Sequence, residues 1–88
     1  IGDHSGAIED YSKAIEIASD WPNAYYVRGI TKLAMADPKG AVDDCTEAIK
    51  KGYKGSEVYK ARGEAKESMG DTKGAKEDFE KYEELQSL

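Results

Sequence analysis

Residues 24–48 read AYYVRGITKLAMADPKGAVDDCTEA, and residues 58–82 read VYKARGEAKESMGDTKGAKEDFEKY. The second stretch lies 34 residues after the first, and the rest of the chain aligns with itself at the same offset. Of the 54 residue pairs at this offset, 16 are identical, whereas chance matching would give about one in fifteen. The chain is therefore built from an internal repeat with a period of 34 residues.

Each repeat unit predicts two helices. In the second helix of a unit, small and apolar residues recur at spacings of three and four, which places them on one stripe of the helix. These residues are Ala7, Ile8, Tyr11, Ala14 and Ile15, and then Ala41, Val42, Cys45, Ala48 and Ile49. Over the whole chain we expect five helices, near residues 5–19, 22–35, 38–51, 57–69 and 72–86.

Polar residues mark where the predicted helices begin. Asp3, Asp37 and Asp71 each precede a helical pattern, and a carboxylate there can accept hydrogen bonds from the unpaired N–H groups of the first turn. Pro38 suits the first helical position because its missing N–H would have no partner there. Ser56 is the predicted cap of the fourth helix.

Two glycines, Gly29 and Gly63, lie inside predicted helices at the same register, although each costs about 1 kcal/mol relative to Ala. A costly residue that recurs needs a packing reason. Together with alanines in the second helices, glycine removes side-chain bulk and lets two helices approach closely. Aromatic side chains are then expected to fill the volume around this contact. They are Tyr11, Tyr25, Tyr59 and Phe79.

A two-helix unit of this length resembles the tetratricopeptide repeat family. Part of the family's first-helix pattern is met by Tyr25-x2-Arg28-Gly29 and Tyr59-x2-Arg62-Gly63. Its second-helix pattern is met by Ala7-x3-Tyr11, Ala41-x3-Cys45 and Ala75-x3-Phe79, with Ala14 and Ala48 as further small residues. The resemblance covers essentially the whole chain. It implies an all-α fold, a right-handed α-α superhelix of about five antiparallel helices, that serves as a scaffold for protein–protein interaction.

The sequence departs from the family at two charged positions of each first helix. Arg28 and Arg62 stand where the family prefers Leu, and Lys32 and Lys66 stand where it prefers Tyr. We expect their aliphatic stems to cover apolar surface while their charges reach water.

The repeat divides a single domain, residues 1–88, into three parts. Residues 1–21 form the second half of a unit, residues 22–55 a full unit, and residues 56–88 a full unit that ends in a polar capping helix. The cap is inferred from Lys76 and Glu83, which replace the apolar residues of earlier units. An upstream helix is expected to be missing, so the N-terminal edge should expose apolar surface through which two copies can form a homodimer.

In proteins that this chain resembles, the first helices of the units line a concave groove that holds a peptide. The resemblance places Asn23, Tyr26, Val27, Ile30, Leu33 and Ala34 on this face, followed by Glu57, Lys60, Ala61, Glu64 and Glu67. Such a groove is apolar at one end and mostly acidic at the other, which suits a protein or peptide partner with hydrophobic anchors and a basic stretch. In the alternative, Tyr26, Ile30 and Leu33 pack against an upstream helix, and the units serve only structural self-assembly.

One subclass of the family clamps the C-terminal carboxylate of chaperone peptides with Asn, Lys and Arg on these helices. Val27 and Ala61 occupy two of the corresponding places. Neither side chain can donate a hydrogen bond, so this chain is not expected to form the clamp.

The sequence offers no candidate for catalysis and implies no cofactor. His4 is the only histidine and is predicted to lie in a loop. Cys45 is the only cysteine and occupies the aromatic register of its unit, so we expect a buried core thiol rather than a nucleophile. A metal site would need a cluster of Cys or His residues.

The formal net charge of −5 argues against nucleic acid as a partner, because an acidic field repels phosphate backbones. Glu57, Glu64 and Glu67 also argue against an RNA-binding helical repeat. Membrane insertion is not expected because no run of about 18 apolar residues occurs. The compartment stays open, with a soluble, cytoplasmic location as the default expectation.

Overall fold

The computed structural model describes residues 4–88, which form five α-helices and no strands. The first and last residues of every helix lie within two residues of the predicted boundaries. His4 is the first residue of a helix, so its predicted place in a loop is wrong. The helices are α1 (His4–Ile17), α2 (Pro22–Ala34), α3 (Pro38–Lys50), α4 (Glu57–Ser68) and α5 (Thr72–Gln86).

The helices form an α-α superhelix in which each one packs against the next in the chain. The connections are only a few residues long, and such short turns make consecutive helices antiparallel neighbours. In addition, α2 contacts α4, so the first helices of the two complete units lie side by side.

Aspartate caps begin α3 and α5. The Asp37 carboxylate accepts a hydrogen bond from the Gly40 N–H at 3.0 Å, and Asp71 accepts one from the Gly74 N–H at 2.9 Å. Both predicted caps are confirmed, whereas Asp3 lies outside the described residues. Ser56 stands at the N-cap position of α4, but its side chain makes no capping hydrogen bond. Its backbone is already helical there, unlike the extended backbone of a side-chain cap.

Three helices end in the same hydrogen-bonded turn, in which the chain reverses through a residue of positive φ. After α4, the N–H of Gly70 donates to Glu67 and that of Asp71 donates to Lys66 at 2.9 Å. Glycine is suited to this turn, because a Cβ atom crowds the backbone at positive φ. Gly52 occupies the equivalent position in the turn after α3, with φ 93°. After α2 the position is occupied by Ala36, at φ 62°.

The core lies where α2, α3 and α4 meet. Its buried residues are Tyr25, Cys45, Ala48, Val58 and Ala61, and Ile15 of α1 packs against them. Cys45 is fully buried, as predicted, and burial raises the pKa of its thiol to about 12.

The glycine positions confirm the predicted close approach of helices. A Cβ atom on Gly29 would lie 3.1 Å from the Cys45 Sγ atom and 3.2 Å from the Asp44 Cβ atom. A Cβ atom on Gly63 would lie 2.8 Å from a ring carbon of Phe79. These distances are at or inside close van der Waals contact, so the absence of a side chain brings α2 against α3 and α4 against α5.

Ala36→Gly is expected to increase the free energy of unfolding by about 1 kcal/mol, because glycine relieves the strain of a Cβ atom at positive φ. Gly70→Ala, at the equivalent turn, should decrease it by a similar amount. Urea denaturation followed by circular dichroism measures both changes. A loss of stability in the Ala36→Gly variant would contradict this description of the turn.

The Cys45 thiol should not react with a disulfide reagent at pH 8 while the chain is folded. A thiol with a pKa near 12 is almost wholly protonated at that pH, and only the thiolate attacks. In urea the pKa should return to about 8.5 and the reaction should become fast. Because the chain has one cysteine, the absorbance of the thiolate that the reagent releases reports the reaction of Cys45 alone. Equal rates in the folded and unfolded chain would contradict the burial.

Candidate functional site

A carboxylate is buried between the two helices of each complete unit. Asp44, on α3, is 3% exposed. Arg28, on α2, donates two parallel hydrogen bonds to the Asp44 carboxylate, from Nε at 2.8 Å and from Nη2 at 2.7 Å. Lys32, one turn further along α2, places its ammonium 3.0 Å from the same carboxylate. We call these three residues the Asp44 cluster.

The second unit repeats this arrangement with Asp78, which is also 3% exposed. Arg62 donates to Asp78 at 2.9 and 2.8 Å, and Lys66 lies 3.2 Å away. We call this the Asp78 cluster. The expectation that these arginine and lysine charges reach water is only partly correct, because they bind the buried carboxylates and their side chains are about a fifth exposed. The hydrogen bonds to the carboxylates raise the pKa of both arginines.

Each arginine also reaches back to the preceding unit. The Nη1 atom of Arg28 donates to the Ser12 hydroxyl of α1 at 3.0 Å. In the same way, Arg62 donates to the Thr46 hydroxyl of α3 at 3.2 Å. One guanidinium therefore joins three consecutive helices, and it sets both the pairing inside a unit and the stacking between units.

The clusters hold α2 and α4, whose predicted binding residues fall into two groups. Tyr26, Val27, Ile30 and Leu33 of α2 are half-buried, and Tyr26 and Ile30 pack against the core. Asn23 of α2 is exposed, as are Lys60, Glu64 and Glu67 of α4. We call these eight residues the α2–α4 face.

One position on α4 differs from its expected place, and a second makes a contact with α5. Ala61 is buried in the core rather than facing outward, because its small side chain lies where α4 meets α2 and α3. Lys60 is exposed, and its ammonium lies 5.7 Å from the ring centroid of Tyr82 on α5. Its charge is therefore drawn toward α5.

Tyr53, in the loop between α3 and α4, packs against the α2–α4 face, and the sequence pattern did not single it out. Its ring stacks on that of Tyr26 with centroids 4.6 Å apart, and its hydroxyl donates to the Glu57 carboxylate at 2.9 Å. Burial, followed by the neighbouring Glu57, raises the pKa of both tyrosines. A lone tyrosine in a loop gives no periodic signal, so only the folded chain shows this contact.

Other kinds of site find no support in the part of the chain that is described. Among residues 4–88, no group of three or more His, Cys, Asp and Glu side chains could hold a metal ion. None of the helices in this range is long and apolar enough to cross a membrane.

Comparisons with known proteins agree with this geometry. A family profile described as tetratricopeptide repeat matches residues 56–87. The chain is similar to a solved structure of the second such domain of Spaghetti (RPAP3), bound to the HSP90 peptide SRMEEVD. The two share 30% sequence identity and a TM-score of 0.92, over 96% of this chain and 78% of that one.

A second solved structure, of MamA protein, has a TM-score of 0.87 and 24% identity. It covers 97% of this chain but only 46% of MamA, and at this identity it shows likeness of fold alone. No curated protein matches in sequence. The repeat period, the five-helix superhelix and the similarity to the Spaghetti domain establish that this chain belongs to the tetratricopeptide repeat family.

Proposed function

We propose that this chain is a non-catalytic protein-interaction module that binds a peptide segment of a partner protein along the α2–α4 face. The similarity to the peptide-bound Spaghetti domain, at 30% identity over 96% of the chain, carries the proposal. The side-by-side contact of α2 and α4 supports it further, because residues from both helices can then reach one extended or helical ligand.

The chemistry of the α2–α4 face suggests what the ligand carries. On α2, Val27, Ile30 and Leu33 are half-buried apolar side chains, which can accept hydrophobic anchors. On α4, Glu64 and Glu67 are exposed, and the whole chain has a net charge of −5. A ligand with apolar side chains at one end and Lys or Arg at the other complements both halves.

The proposed specificity differs from that of the Spaghetti domain. The peptide in that structure, SRMEEVD, contains two glutamates and an aspartate. In this chain, Val27 offers no hydrogen-bond donor and Ala61 is buried. The exposed Glu57 and Glu64 would repel an acidic ligand at the α4 end. We therefore propose a basic ligand rather than an acidic one.

Self-assembly is the second candidate function, and the N-terminal edge carries the observation that favours it. Ile17, at the end of α1, is 88% exposed, and Trp21, just before α2, is 46% exposed. Burying two such side chains between copies would stabilise a homodimer.

Tyr26→Ser with Ile30→Ser separates the two functions: loss of ligand binding with dimerisation unchanged favours the interaction module.

Selection of phage-displayed 12-residue peptides on the immobilised chain tests the ligand chemistry. We expect enriched sequences to combine aliphatic or aromatic residues with Lys or Arg, and to bind with micromolar affinity. The peptide SRMEEVD serves as the acidic comparison. Its binding at similar or higher affinity would contradict the proposed specificity.

Charge reversal on α4 then locates the binding face. Glu64→Lys with Glu67→Lys should weaken the selected basic peptides at least about tenfold, since each reversed rim charge turns attraction into repulsion. Glu77→Lys with Glu80→Lys is the matched control, because both residues are exposed on α5 and the net charge changes equally. Isothermal titration calorimetry measures both. Equal weakening in the two variants would place the ligand away from the α2–α4 face.

A further inference from the structure

A carboxylate and two tyrosine rings meet where the loop after α3 enters α4. Tyr53 stacks on Tyr26 of α2 with ring centroids 4.6 Å apart, and its hydroxyl donates to the Glu57 carboxylate at 2.9 Å. Both rings also pack against the core, whereas Glu57 is exposed. We call Tyr26, Tyr53 and Glu57 the Glu57 corner. It adjoins the α2–α4 face through Tyr26.

Gly55 leaves the space in which the Glu57 carboxylate lies. A Cβ atom on Gly55 would overlap this carboxylate, and the three atoms nearest to it all belong to Glu57. The backbone of Gly55 is not in the left-handed region, so the turn itself does not require glycine at this position. The carboxylate is therefore held from two sides, by the Tyr53 hydroxyl and by the close approach of the Gly55 backbone.

Glu57 forms no salt bridge within the part of the chain that is described. Lysines of the same helix pair with several other exposed carboxylates, which are Glu9, Asp43, Glu47 and Glu84. Keeping a flexible side chain in one place costs conformational entropy, so a carboxylate that is held without a cation is prepared for a cation from outside. Burial raises the pKa of Tyr26, and the charges of Glu57 and Glu64 raise it further. Both carboxylates thus act on the same ring.

Elsewhere in this chain, arginine binds where a tyrosine ring adjoins a carboxylate. The Arg28 guanidinium lies 5.8 Å from the centroid of the Tyr25 ring while it donates to Asp44. The Arg62 guanidinium lies 5.7 Å from the Tyr59 ring while it donates to its own buried carboxylate. A guanidinium suits such a place because it is planar, binds a carboxylate through two hydrogen bonds and stacks on aromatic rings.

We propose that the Glu57 corner is the subsite that binds an arginine side chain of the ligand. This inference rests on the proposed function, and it specifies which basic residue the ligand carries and where that residue binds. The guanidinium donates to the Glu57 carboxylate and lies against the tyrosine pair. The Tyr53 hydroxyl and Gly55 act by positioning Glu57. A lysine ammonium lacks the planar fork, so lysine binds there more weakly.

Citrulline scanning of a basic peptide tests the subsite. A 12-residue peptide from the phage selection is synthesised with each arginine replaced in turn by citrulline, which has nearly the same shape without the charge. At one position the replacement should weaken binding about tenfold, as loss of a charge-assisted hydrogen bond does. The Glu57→Gln variant should bind the arginine and citrulline peptides equally. Isothermal titration calorimetry measures the four affinities, and this double-mutant cycle isolates the contact.

Two variants that keep Glu57 test how it is positioned. Tyr53→Phe keeps the ring and removes the hydrogen bond, whereas Gly55→Ala displaces the carboxylate. Each should weaken the arginine peptide about fivefold, the size of one hydrogen bond, and should leave the citrulline peptide and the urea midpoint nearly unchanged. Tyr82→Phe removes a hydroxyl that binds Gln86 on α5. It is the matched control and should leave both affinities unchanged.

The outcomes separate the subsite from the proposed function. If basic peptides bind and respond to charge reversal at Glu64 and Glu67, but no arginine is coupled to Glu57, the subsite is wrong and the proposed function stands. Lysine that binds as tightly as arginine at the coupled position would also overturn the subsite. If Tyr53→Phe and Gly55→Ala both behave as Tyr82→Phe does, the positioning is wrong. Failure to select any basic peptide would contradict the proposed function, and the subsite with it.

Discussion

The carboxylate of Asp44, buried between α2 and α3 and held by Arg28 and Lys32, is the interaction on which the repeat geometry depends. A buried charge without partners costs several kcal/mol, so the packing of α2 on α3 is favoured where both cations reach the carboxylate. The guanidinium binds through two parallel hydrogen bonds, which also restricts its orientation. Gly29 makes this possible, since a Cβ atom there would lie 3.2 Å from the Asp44 Cβ atom.

The same arginines also fix how one unit packs against the next. Arg28 binds a hydroxyl on α1, and Arg62 binds a hydroxyl on α3, so each arginine places its own helix against the helices on both sides. The relative position of α2 and α4, and with it the spacing of the apolar and acidic halves of the α2–α4 face, follows from two such arginines. The proposed binding face thus consists of half-buried and exposed side chains on helices that buried charges hold in register.

Much of this could be predicted from the sequence, because a periodic pattern reports which residues share one stripe of a helix. The five helices, the Asp37 and Asp71 caps and the close approach at Gly29 all follow from such patterns. Which side chains pair across two helices does not follow from such patterns. Arg28 and Asp44 both recur at the repeat period, but the period of each helix by itself does not show that the arginine binds the aspartate of the next helix. The stacking of Tyr53 on Tyr26 was missed because a loop residue has no period.

Urea denaturation of the Asp44→Ala variant, with Asp43→Ala as the control, tests this account most directly. Asp44 is 3% exposed and binds two cations, whereas its neighbour Asp43 is exposed and lies 3.7 Å from Lys39 alone. Asp44→Ala should lower the free energy of unfolding by about 3 kcal/mol, since it leaves Arg28 and Lys32 without their buried partner. Asp43→Ala should change it by less than about 0.5 kcal/mol. Equal, small changes in the two variants would contradict the central role of the buried carboxylate.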